Sequence, residues 1–126
     1  MNIPTSLGEL VDKITILEIK KSMIKDSTKL KYVESELDLL ASILNESSVE
    51  IPEILHQKLY AINLSLWNIE DKIRIKERAQ DFGSEFIELA RSVYVTNDQR
   101  FDAKSQISQY GKSEIHEQKS YEKYHD

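Results

Sequence analysis

The side chains able to do chemistry fall into three stretches of this 126-residue chain. Glu9 and Asp12 stand three residues apart, so on a helix both carboxylates face one side. With a third acid, Glu70, they form a candidate set of hard oxygen ligands for Mg²⁺. A small Mg²⁺-dependent helical phosphohydrolase acting on a nucleotide or nucleotide-sugar is the chemistry that set implies. Against it, an acidic pair at this spacing arises easily by chance in a chain with 22 acids.

The second stretch holds Trp67, Glu70, Asp71, Arg74 and Glu77. Glu70 and Arg74 are an i, i+4 pair, and Asp71 is also within reach of Arg74. One reading is a solvated helix face with local ion pairs, beside a tryptophan that anchors the core or a dimer. The other is a charged seam with Trp67 as the flat wall of a pocket. The third stretch holds Arg91, Tyr94, Asn97, Asp98, Arg100 and Lys104. Three cations near an amide and a phenol suit a phosphate or a carboxylate, which arginine grips with a planar fork. The structural reading is that Arg91 and Arg100 pair with acids of other helices and tie the fold together.

Familiar catalytic patterns are absent. There is no cysteine, so no thiolate nucleophile or thiolate metal ligand. His56, His116 and His125 are far apart and make no zinc motif. The chain has no phosphate-binding glycine loop, and no serine stands in a nucleophile-elbow pattern. A binding role is therefore expected ahead of catalysis. A small helical enzyme and a purely structural oligomerisation domain are the alternatives.

These residues need helices to position them. Apolar residues make up 40% and charged residues 31%, with only three Gly and two Pro, a composition that favours one soluble helical domain. The net charge of -5 argues against nucleic acid, whose phosphates need a concentrated basic face. No apolar run reaches membrane length, and MNIPTSLGEL lacks a signal-peptide pattern. A cytoplasmic location is the expectation.

Apolar periodicity and capping residues predict an all-α antiparallel bundle of four main helices, near 7–25, 28–45, 52–79 and 82–95. A short extra helix is predicted near 98–110, followed by a tail at 112–126 that is helical or partly disordered. Ser6 and Glu9 have capping-box spacing, and Asp26 to Thr28 can cap the second helix. Gly8 can let another segment approach closely. The third helix, with Leu59, Ile62, Leu66, Ile69 and Ile73 on one side, reads as the spine. Thr96 and Gln99 repeat the capping spacing, which predicts a break there. Long apolar-sided helices predict a homodimer.

Four blocks carry a family resemblance. They are Gly8 to Lys20; Asn63 with Leu66 to Arg74; Ala90 to Tyr94 with Asn97 to Arg100 and Lys104; and Glu117 to Tyr121. Together they resemble a family of small all-helical proteins of bacteria and phages without an established activity. Some of its members occur beside or attached to glycosyltransferases of surface-polysaccharide synthesis. The resemblance implies a role linked to that synthesis, with a glycosyltransferase or another protein as partner. It also implies that the tail joins the domain through Lys119 and Tyr121. If the blocks meet, the expected site is a mixed-charge pocket for a phosphorylated sugar or a nucleotide.

Overall fold

The computed structural model describes the backbone of residues 6–125 and the side chains of residues 6–112. Four helices follow one another: α1 (Leu7–Met23), α2 (Ser27–Glu46), α3 (Glu53–Arg78) and α4 (Ser84–His125). The fold is an all-α antiparallel bundle, with no strand among the described residues.

Local chemistry starts α1 and α2 at the caps that the sequence predicts. The Ser6 hydroxyl accepts a hydrogen bond from the Glu9 amide at 3.2 Å and caps α1. Asp26 does the same for α2, accepting from the amides of Thr28 and Lys29. Pro52 lies just outside α3, and its carbonyl accepts from Leu55 and His56. Between α3 and α4 the chain turns through Gln80 at a positive φ of 57°. The turn is clasped by Lys76, which pairs with Asp81 at 3.0 Å and with Glu85 at 2.5 Å.

The helices form two hairpins. In the second, α3 and α4 run antiparallel, with Lys76 beside Glu85 near the turn and Lys58 beside Gln106 farther along. Helix α1 lies across that pair. Near its amino-terminal end Gly8 meets Ser108 of α4, and near its other end Glu18 meets His56 of α3. Among the described residues helix α2 packs along α1 and sends Leu44 to the core cluster.

The hub is therefore α1, where the sequence pointed to α3 as the spine. Helix α1 touches every other helix and buries Leu10, Val11, Ile14, Leu17 and Ile19. Its short length concealed this, because a helix enclosed on several sides shows less amphipathic contrast than one packed along a single stripe. The innermost cluster joins Val11 to Leu59, Ala103 and Ile107, with Leu7, Leu44 and Leu55 around it.

A second correction concerns α4. It is one helix of 42 residues, about 63 Å long at 1.5 Å per residue, and not two helices broken at Thr96 to Asp98. Thr96 is buried at 8% exposure on the inward face. That face continues through Arg100, Ala103, Ile107 and Gly111 at steps of four, three, four and four residues. Packing on α1 and α3 overrides the capping pattern, and Gly111 does not end the helix. The tail backbone is the continuation of α4.

Candidate functional site

Where α1 crosses the α3–α4 pair, three helices place polar groups together. Asp12 is 1% exposed, in the middle of α1, with buried Val11 just before it and buried Ile14 two residues after it. Burying a carboxylate is costly unless strong partners meet it. Arg100 of α4 supplies them, donating from Nε to Oδ1 at 2.9 Å and from Nη2 to Oδ2 at 2.5 Å. This is the two-point geometry that arginine alone offers a carboxylate. Asn63 of α3 adds a third donor, its Nδ2 lying 2.9 Å from Asp12 Oδ1. The same amide nitrogen donates to Thr15 Oγ1 at 2.8 Å, and the Thr15 hydroxyl donates to the Asp12 carbonyl at 2.7 Å.

No described buried side-chain polar atom is left without a partner. Burial pushes the Asp12 carboxyl up, but the hydrogen bonds of Arg100 and Asn63 and the charges of Arg100 and Lys104 outweigh it. The group is held below the usual carboxylate range. The Asp12 hydrogen bond in turn raises Arg100 above its ordinary value, against partial burial and with help from the charges of Asp12, Glu9 and Glu70.

One turn toward the amino-terminal end of α1, Glu9 pairs with Lys104 at 2.5 Å. Gly8 lies against the α4 backbone there. A Cβ on Gly8 would stand 2.2 Å from the Lys104 carbonyl oxygen. The Gly8 amide donates to Ser108 Oγ at 2.9 Å, leaving that hydroxyl its own proton to give. Beside this contact runs an open groove of about 220 Å³, lined by Phe101, Lys104, Ser105, Ser108, Gln109 and Lys112 of α4, with Ser6 and Glu9 opposite.

The structure thus brings together parts of three sequence blocks, through Glu9, Asp12, Asn63, Arg100 and Lys104. It joins them as a closed clasp and not as an open pocket. The other candidates lie elsewhere. Asp71 and Arg74 form an exposed pair at 3.2 Å, with Glu70 at 3.8 Å, which is the solvated-face reading of that stretch. Trp67 is half-buried beside Leu66 and meets no other aromatic ring among the described residues. Arg91, Tyr94, Asn97 and Asp98 are exposed on α4. Neither Arg91 nor Asp98 makes an ion pair among the described residues. Lys119 and Tyr121 lie outside the residues whose side chains are described.

The three proposed metal ligands do not converge. Among the described residues no group of three His, Asp or Glu side chains could hold a metal ion. Asp12 and Glu9 each face a cation instead. No described serine or threonine hydroxyl donates to a histidine or a carboxylate.

Asn63 and Thr15 belong to the clasp, but the sequence did not single them out as site residues. The signal was there: Asn63 falls between Leu59 and Leu66 on the apolar side of α3, where an amide needs a buried partner.

The chain belongs to DUF6165, a family of unknown function. The match spans residues 1–125, so it includes the clasp, the groove and the whole of the fold described above. No curated protein and no solved structure matches the chain. No helix among the described residues is long and apolar enough to cross a membrane.

Proposed function

We propose that this protein is a non-catalytic binding domain, an accessory to surface-polysaccharide synthesis in the cytoplasm, which holds a phosphorylated sugar in the groove beside Gly8. The observation that carries the reading is the composition of that groove. It sets Lys112, two serines and a glutamine along one face of α4, beside a Lys104 already paired with Glu9, with the Phe101 ring 68% exposed at its rim. Lysine suits phosphate as a point charge, hydroxyls and amides suit sugar oxygens, and an aromatic face suits the apolar side of a sugar ring.

The volume, about 220 Å³, is below the range of roughly 300–1,000 Å³ usual for drug-sized ligands. It fits one sugar phosphate, or the sugar phosphate end of a nucleotide-sugar with the base lying outside. The clasp behind the groove has a supporting role. Asp12 and Arg100 hold α1 against α4 and so fix the two sides of the groove. The link to polysaccharide synthesis rests on the family resemblance, and it names a glycosyltransferase as the protein partner to test.

The test is a thermal-shift screen of the purified protein against sugar phosphates, nucleoside diphosphates and nucleotide-sugars, with and without Mg²⁺. A ligand that binds the folded state raises the melting temperature. The expected result is a shift that needs no metal and disappears in Lys112→Glu, an exposed position whose change leaves the fold intact. No shift across the panel would overturn the reading. So would a shift seen only with Mg²⁺ and unaffected by Lys112→Glu.

A further inference from the structure

Helix α4 has a second face, opposite the one that packs on α1 and α3. Ile87, Arg91, Tyr94, Asp98 and Phe101 follow one another at steps of four, three, four and three residues. That spacing keeps them on one side of a helix. Ile87 is 56% exposed, Tyr94 71% and Phe101 68%, and Val95 at the flank is 52% exposed. The upper part of this face is a shallow apolar depression formed by α4 alone, around Phe86, Ala90 and Tyr94. Large apolar side chains gathered on one exposed helix face are characteristic of an interface.

The order of residues along the stripe says what covers it. Ile87 and Phe101 stand equally far from Tyr94, seven residues before it and seven after. Arg91 precedes Tyr94 by three residues and Asp98 follows it by four. A two-fold axis through Tyr94 therefore lays a second α4 antiparallel on the first. It sets Tyr94 on Tyr94 and Ile87 level with Phe101, and it brings Arg91 beside the turn that holds Asn97 and Asp98. The stripe is self-complementary in both shape and charge, as an isologous contact requires. Arg91 and Asp98 make no ion pair within the protomer among the described residues, so both charges are available across the axis.

We infer that the protein forms a homodimer through an antiparallel α4–α4 contact centred on Tyr94, with reciprocal Arg91–Asp98 ion pairs. The contact from Ile87 to Phe101 is about 21 Å long at 1.5 Å per residue. Because Phe101 also stands at the rim of the groove, the dimer brings Ile87 of the second copy to that rim. The inference does not depend on the groove holding a ligand.

Sedimentation equilibrium of the full chain over a range of concentrations tests it. The expected result is a reversible dimer whose dissociation constant rises at least tenfold in Tyr94→Glu, with helicity by circular dichroism unchanged. Arg91→Glu and Asp98→Arg are each expected to weaken the dimer, and the double reversal is expected to restore it. A wild-type monomer throughout would overturn the inference and leave the stripe to a different protein. A dimer indifferent to Tyr94→Glu would place the contact elsewhere. A double reversal that fails to recover would overturn the antiparallel pairing.

Discussion

Arg100 and Asp12, 88 residues apart in the chain, meet through two parallel hydrogen bonds at the point where α1 crosses α4. Asp12 is buried, while the Arg100 side chain is 29% exposed. This asymmetry decides what each substitution does. Arg100→Met leaves a carboxylate buried without its counter-charge, whereas Asp12→Asn leaves a guanidinium that can still reach water. Both variants are expected to unfold more easily in urea. Arg100→Met should lose more, about 3 kcal/mol, the lower end of what breaking a buried pair usually costs. The double variant should lose less than the two singles added together, since the pair acts as a unit.

The pair also sets the acid limit of the fold. The folded-state pKa of Asp12 lies below its unfolded value, so its contribution is fully present above the ordinary carboxylate range. That contribution is lost as the pH falls through the lowered value. Wild-type stability attributable to Asp12 should therefore hold down to about pH 4, near the ordinary Asp value, and decline below it. In Arg100→Met the burial effect is no longer outweighed, so the carboxyl should titrate higher. The stability gap between variant and wild type is then expected to narrow as the pH drops from 7 toward 4, measured by denaturant midpoints at each pH.

Gly8 is required by a close approach. Alanine at an ordinary helix position is favoured over glycine by about 1 kcal/mol. At Gly8 the new methyl would meet a backbone carbonyl of α4, which cannot rotate away as a side chain can. Gly8→Ala is expected to lower stability by roughly 1–3 kcal/mol, the usual cost of overpacking. Gly111→Ala meets the flexible end of Leu7 and should cost less. Gly83→Ala meets only an Asp81 oxygen at 3.4 Å and should be close to neutral. Thermal melts of the three variants give the ranking.

The exposed charges of α3 should matter little. Arg74, Asp71 and Glu70 have side chains 65%, 54% and 53% exposed. Arg74→Ala and Asp71→Ala are each expected to change stability by less than about 0.5 kcal/mol, the scale of surface pairs. Neither should alter the thermal shift given by a sugar phosphate. A large effect on that shift would place the ligand on α3.

Amphipathic spacing and caps made the helices themselves legible in the sequence, from Ser6 at α1 to Arg78 at the end of α3. The partner relations of the candidate residues were less legible. Asp12 resembled a metal ligand because a sequence does not show that an arginine 88 residues away lies against it. Thr96 resembled a cap because its hydroxyl suits either role. Only the register with Arg100, Ala103 and Ile107 places it inside a continuous helix. Trp67, the lone tryptophan, suits either a core or dimer anchor or a pocket wall in the sequence; it is half-buried, and the exposed ring beside the groove is Phe101. Gly8 was read correctly as a point of close approach, since an early-helix glycine gives little other advantage.

The most direct test of the central claim, that the groove beside Gly8 is the binding surface and the clasp its support, is an amide-resolved NMR titration with a sugar phosphate. Saturable shifts are expected on Ser6, Gly8, Ser105, Ser108, Gln109 and Lys112, weakened by salt and abolished in Lys112→Glu. Shifts confined to the exposed acids and Arg74 of α3, or no saturable shift at millimolar ligand, would contradict that claim.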